Sequence, residues 1–211
     1  MAHLRKPLAA ALGLNTAVLV VETIGGVEAN SLSLVTDAVH NFSDEMALAF
    51  LLLAYTLRTG LSSHFLRSAN LFNSLGLLAI SSLLVWQSIE RLLHPQPVIG
   101  LIPIAAGLLA AVGNWGVARE LREPSKHDIA IRLAYVHNLG DVIVSLAPVL
   151  AGAAMLVSGS VLFDPIIAII IAAVIVVTTL QAIIGSQEEL LWPENVVCGT
   201  AGSSIPRESG E

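Results

Sequence analysis

An all-α membrane protein with six transmembrane helices is the fold class this sequence predicts. Three observations carry that prediction. The chain is 55% hydrophobic and only 12% charged, whereas an ordinary soluble domain carries about a quarter charged residues. Its apolar residues fall into six stretches near the ~20 residues that span a bilayer, and 211 residues leave room for little else. Finally, nine of the ten basic residues fall on one side of such a six-helix arrangement.

The expected spans, in order, are Pro7–Glu28, Ser33–Leu57, Leu71–Leu93, Val98–Val117, His127–Val157 and Phe163–Ile184. The first follows a short basic start, Met1 to Lys6, with no clean cleavage site behind it, so it is a span and not a leader. Pro103 sits early enough in the fourth span to be tolerated. Ser125, with Asp128 three residues on, is the expected N-cap of the fifth helix. Asp164 is the expected cap of the sixth. Arg5, Lys6, Arg58, Arg67, Arg119, Arg122, Lys126, Arg132 and Arg207 share one side, leaving Arg91 near the other. The positive-inside rule makes that side the cytoplasm, with both termini in it. Residues 1–185 thus form one transmembrane domain, and 186–211, rich in Gly and Ser, a short flexible cytoplasmic tail.

Several function classes drop out. No basic patch interleaved with aromatics suggests nucleic acid, and Cys198 is alone, which excludes a disulfide framework or a cysteine metal site. No Gly-x-x-x-x-Gly-Lys-Ser/Thr loop is present to hold a nucleotide.

An internal echo points to chemistry. Val39-His40-Asn41-Phe42-Ser43-Asp44 in the second span matches Val136-His137-Asn138-Leu139-Gly140-Asp141 in the fifth at four of six positions. Ionisable groups at that depth cost a few kcal/mol each on insertion scales, so they are functional candidates by default. Residues i and i+4 share a helix face, so each His-x-x-x-Asp offers an imidazole and a carboxylate side by side. Spans three apart in order run antiparallel, so His40 can face Asp141 while Asp44 faces His137. Two nitrogens and two carboxylates then converge as a shell suited to tetrahedral Zn2+. The same offset relates helices 2 and 5 as in an inverted repeat, an arrangement in which transporters place their site near the midplane. The bland alternative is that each His–Asp pair merely joins two helices by a hydrogen bond. Its repetition at one spacing weighs against that, since packing polarity needs no repeat.

The run from Asn30 to Asp44, with the paired motif on the fifth helix, resembles the signature of the cation diffusion facilitators. Glu22 with Gly26, Glu90 with Pro95 and Asp164-Pro165 resemble that family too. The resemblance covers nearly all of Pro7–Pro193 and implies a six-helix, proton-coupled exporter, usually a homodimer. The two-His, two-Asp set is similar to the zinc branch, with Co2+ and Cd2+ as further substrates. The chain departs from the pattern by stopping too soon for a ferredoxin-like cytoplasmic domain. It has only His127 where zinc members carry a His-rich connection, and His64-Phe65-Leu66 replaces an aromatic-Gly pattern.

The resulting expectation is a Zn2+/H+ antiporter of a bacterial inner membrane, lying in the lipid bilayer as a homodimer held by its helices, with the metal ion and the proton as its partners. Its expected metal ligands are His40, Asp44, His137 and Asp141. Loading neutral imidazoles and ionised carboxylates with metal releases protons, and a switch to an acidic exterior reverses the exchange. Two alternatives stand beside it, an intramembrane zinc hydrolase and a non-transporting metal-sensing partner. The hydrolase is disfavoured because catalytic zinc usually keeps one open position. No catalytic residue and no resident cofactor are expected.

Accessory residues divide as follows. Asp37 either assists metal access and a ligand imidazole or is a first-turn carboxylate favoured by the helix dipole. Asn41 and Asn138 are expected to bond between helices rather than to metal. Glu22 belongs to a proton path or to structural hydrogen bonding, and Glu45 lies on another face. His64, in the second-to-third loop, is a surface residue or a weak second site. His94 and His127 are expected in solvent.

Overall fold

The computed structural model describes the backbone of residues 2–57 and 63–185, and the expected tail, 186–211, lies outside the described residues. Seven α-helices and one 3₁₀ turn make up the described chain: α1 Ala2–Ala29, α2 Leu32–Thr56, α3 Ser63–Leu93, α4 Leu101–Leu121, the turn Pro124–Lys126, α5 Ile129–Val144, α6 Leu146–Ser158 and α7 Phe163–Gly185. No strand occurs among the described residues.

Among the described residues five stretches are long and apolar enough to cross a membrane: Leu4–Ala29, Leu71–Leu93, Leu101–Leu121, Ile129–Ser158 and Phe163–Gln181. The fourth of these joins α5 and α6. At 25 residues α2 is about 37 Å long at 1.5 Å per residue. It carries Asp37, Asp44 and Glu45, however, and is not among the five.

Polarity is inside out. Trp86, Phe72, Val157, Ile143 and Leu101 are exposed, while Asn15, Glu22, Asp37, Asn41, Asp44, Asn114, Asn138, Asp141 and Ser145 are buried. Such an arrangement suits a chain whose solvent is lipid, because lipid rewards exposed apolar surface and makes unpaired polar groups expensive.

Packing divides the helices into two sets. Leu4, Leu8 and Ala11 of α1, Leu48 and Leu51 of α2, Val117 and Leu121 of α4 and Ile131 of α5 form one core. Helices α3 and α7 pack on each other and lean on α2 through Leu77, Ile171 and Ile175 with Val39. Close approach between α4 and the α5–α6 segment depends on Gly107, where a Cβ would lie 2.8 Å from the Ser145 carbonyl oxygen. That is the small-residue packing expected where lipid supplies no hydrophobic drive between helices.

Between α1 and α2 the chain turns in two residues, Asn30 and Ser31. Asn30 takes a left-handed conformation (φ 54°), the Ser31 amide donates to the Gly26 carbonyl at 2.9 Å and the Asn30 amide to that of Val27 at 3.1 Å. This is a Schellman ending with asparagine in the position usually held by glycine. Arg91 of α3 donates to the Asn30 carbonyl and side-chain oxygens, and Asn30 donates to the Pro97 carbonyl at 3.0 Å. The α1–α2 and α3–α4 connections are thereby tied together at one end of the bundle. At the other end the Tyr55 hydroxyl donates to Asp128, and Arg5 donates to the Tyr55 and Thr56 carbonyls, where cations favour a helix C-terminus.

Four expectations are corrected here. Ser125 does not cap the fifth helix: it is in the 3₁₀ turn and donates to the Arg122 carbonyl. Asp128 is the cap, accepting from the Ile131 amide at 3.1 Å, because Pro124 rigidifies the turn and delays the helix start. The fifth span is broken at Ser145. Pro148 lacks an N–H and its ring crowds the carbonyl four residues back, at Val144, where α5 ends. The third helix begins at Ser63, so His64 lies in its first turn and not in a loop.

The fourth correction concerns Asp164, which caps α2 and not its own helix. Its carboxylate accepts from the Ser31 hydroxyl (2.6 Å), the Leu32 amide (2.6 Å), the Ser33 hydroxyl (2.6 Å) and the Ser33 amide (3.3 Å). Free amides and the dipole at a helix N-terminus favour an anion there, and α7 delivers one.

Candidate metal centre

The two His-x-x-x-Asp motifs meet between α2 and α5. His40 Nε2 lies 3.1 Å from Asp141 Oδ1 and His137 Nε2 lies 2.8 Å from Asp44 Oδ1, so each imidazole reaches across to the other helix. Within each helix the separations are 3.7 Å for His40–Asp44 and 3.8 Å for His137–Asp141. One donor atom from each of the four residues fits within 4.8 Å of all the others. The rings stand edge to face, centroids 5.5 Å apart.

These separations suit a small ion. A tetrahedron with arms of 2.0–2.1 Å has edges of about 3.3 Å; the four His–Asp distances, which use both oxygens of each carboxylate, run from 2.8 to 3.8 Å, so a small contraction of the cluster closes it on an ion. Two neutral imidazoles and two carboxylates also cancel a double positive charge, as a buried cation site requires. Exposure is uneven. The side chains of Asp44 and Asp141 are 8% and 5% exposed and that of His40 13%, but that of His137 is 49% exposed. The outer face of α5, with Leu133, Val136 and Ile143, is bare, and His137 is the member of the cluster that can be reached from outside the chain.

Around this centre lies a buried polar shell. Asn41 donates to Glu22 at 2.5 Å, joining α2 to α1 as expected. Asn138 instead donates to the Ala134 carbonyl within its own helix. Asp37 lies one turn before Asn41 on the same face of α2, which places it beside Glu22. Asp37 is buried in the second turn of α2. The first-turn role is therefore corrected: the dipole site it would have used is held by Asp164. Glu45 turns away from the centre, accepting from Asn15 at 2.9 Å and Thr16 at 2.5 Å on α1. His94 and His127 are exposed. The side chain of His64 is outside the described residues.

Three participants were missed from the sequence: Asn15, Asn114 and Ser145. Asn114 of α4 donates to Ser145 Oγ at 3.0 Å, and Asn15 also donates to the Asn41 carbonyl at 3.1 Å. A polar residue inside an apolar span is the available signal for the two asparagines, by the same rule that singled out Glu22.

Residues 8–191 match the cation efflux transmembrane domain. The chain belongs to the cation efflux family. It is an integral membrane protein, as that family is. Among similar proteins, zinc transporter ZitB of Escherichia coli K12 is 32% identical over 192 residues, covering 86% of this chain and 61% of the relative. The cadmium, cobalt and zinc/H(+)-K(+) antiporter of Bacillus subtilis is 30% identical over 170 residues, 76% of this chain and 55% of the relative. The metal cation efflux system protein CzcD of Cupriavidus metallidurans is 28% identical over 156 residues, 70% of this chain and 49% of the relative. The chain spans less than two thirds of the length of these family members.

Proposed function

We propose that this protein exports zinc from the cytoplasm in exchange for protons, with His40, Asp44, His137 and Asp141 holding the ion in transit. The observation that carries the proposal is the convergence of two imidazoles and two carboxylates from antiparallel helices at separations that fit a tetrahedral ion. Membership of the cation efflux family supports it, as do the zinc, cobalt and cadmium in the names of similar proteins. Cobalt and cadmium are accordingly expected as further substrates, and a bacterial inner membrane as the setting.

In this account α2 is the sixth span, its acids turned into the bundle, and both termini are cytoplasmic by the positive-inside rule. Helices α2 and α5 are then inverted partners with the site between them near the midplane. Zinc and protons compete for the same four ligands, so metal binding releases protons. A lower external pH then favours metal release once the site faces outward. Alternating access consists of rocking one helix set against the other, and the bare side of α5 beside His137 is the route to the site.

Uptake into proteoliposomes across a panel of ions, with and without a pH gradient, tests the proposal. Zinc accumulation that rises with an opposing proton gradient is expected. Accumulation indifferent to the gradient would leave facilitated diffusion, and zinc binding without accumulation would leave a sensor.

Assembly is proposed through α3. Phe72, Leu71 and Leu75 are exposed, and a Cβ at Gly76 would meet nothing within 4 Å, so this face is open to a second copy. Asn73 on the same helix donates to Ser43 Oγ at 2.8 Å within the chain, while Asn70, Ser74 and Gly76 are proposed with it as close-contact positions between copies. Single cysteines along 71–79 should cross-link with helical period, peaking at Phe72 and Gly76. A flat pattern would place the dimer elsewhere.

A further inference from the structure

The polar layer one helical turn from the metal ligands, toward the Ser31 end of α2, holds two acids with too few donors for both to be ionised. Glu22 and Asp37 are 0% and 1% exposed, and Asn41, one turn after Asp37 on the same face of α2, donates to Glu22 and so sets the two acids side by side. A carboxylate only accepts hydrogen bonds, and a carboxyl donates only when protonated, so two neighbouring buried acids short of donors are satisfied by a shared proton. Donors are also short around the pair. Asn41 gives its amide to one Glu22 oxygen, while Ser145 Oγ, beside Asp37, accepts from Asn114. Glu22 Oε1, Asp37 Oδ2 and Asn41 Oδ1 remain buried with no partner. No lysine or arginine is among the buried described residues. The other titratable groups acting on the pair are His40 and Asp44 of α2 and Asp141 of α5, while α4 contributes only Asn114, through Ser145.

We infer that Glu22 and Asp37 form a proton-binding site separate from the four metal ligands, sharing one proton when the metal centre is empty and giving it up when a divalent cation arrives. The step moves one proton: an O–H bond to a carboxyl oxygen breaks, one to water forms, and the pair passes from one negative charge to two. Two buried negative charges in contact are unstable unless a positive charge is near. The cation one turn away along α2 supplies that charge, and when it leaves the pair takes up a proton again. Metal and proton are thereby linked through the field between two layers as well as by competition for the same atoms. This coupling role rests on the transport proposal; the shared proton does not.

Two measurements on the full chain test it. Infrared difference spectra of the metal-free protein should contain a protonated-carboxyl C=O band that shifts in D2O and disappears in both Glu22→Gln and Asp37→Asn. Zinc calorimetry in buffers of different ionisation enthalpy should count about one proton fewer per ion in each variant than in the wild type, with zinc still bound. The amide in each variant keeps a donor between the two residues, so the variants preserve the contact while removing the exchangeable proton. An unchanged proton count in a folded variant would overturn the inference. So would loss of zinc binding in both folded variants, which would make the pair part of the metal site. A wild-type protein without the carboxyl band would overturn the shared proton whatever the transport result. A wild-type band with no zinc uptake would defeat the transport proposal and leave the proton site standing.

Discussion

Replacing Asp44 or Asp141 by alanine should abolish zinc transport while leaving a folded protein in the membrane. Each carboxylate faces both imidazoles, at 2.8 and 3.7 Å for Asp44 and 3.1 and 3.8 Å for Asp141. Loss of either removes one donor atom and half of the negative charge that neutralises the ion. Substitutions that merely orient a ligand typically cost 10–100-fold in metal affinity, so loss of a ligand should exceed about 100-fold. Folding should survive, because both acids hydrogen-bond mainly to the paired imidazoles, and each imidazole retains a second acid within 4 Å. Equilibrium zinc binding and vesicle uptake measured side by side check this. A variant with wild-type uptake at limiting zinc would remove that carboxylate from the site.

The second large effect concerns stability. Asp164→Ala removes four hydrogen bonds from the start of α2 and orphans buried donors on Ser31, Leu32 and Ser33. Loss of an N-cap costs about 0.5–2 kcal/mol, and each buried donor left unsatisfied about 1–3 kcal/mol. With relaxation toward water at the bundle end, a loss of about 3 kcal/mol is expected. For a chain of this size that corresponds to a fall of roughly 6–12 °C in Tm. Asp164→Asn should fall less, since it keeps one acceptor oxygen but turns an amide donor toward donors. Thermal unfolding in detergent measures both. A change under about 2 °C in the alanine variant would mean that α7 does not anchor α2.

What was legible in the sequence follows from how local the cause is. Apolar stretches and the repeated His-x-x-x-Asp depend on helical spacing alone, and the pairing of His40 with Asp141 and of His137 with Asp44 follows once two helices run antiparallel. The capping of α2 by Asp164 joins residues more than 130 positions apart, and no local pattern distinguishes a cap for one's own helix from a cap for a neighbour's. The break at Ser145 did have a local signal in Pro148, four residues after Val144, outweighed by the continuous apolar run around it. Asn15 and Asn114 are neutral, so no ionisation cost marks them out as it marks Glu22, whereas the metal motif announces itself by recurring. The early start of α3 was hidden by Arg67 and His64, which lower the apolar periodicity without stopping a helix.

The central claim is that the four residues of α2 and α5 bind the ion that the protein moves. X-ray absorption at the zinc edge, on the full chain loaded with one equivalent of metal, tests it most directly. The account predicts four ligands at about 2.0–2.1 Å, two of them with the scattering pattern of imidazole, and loss of that spectrum in Asp44→Ala. A shell of oxygen alone, or an unchanged spectrum in Asp44→Ala, would contradict it.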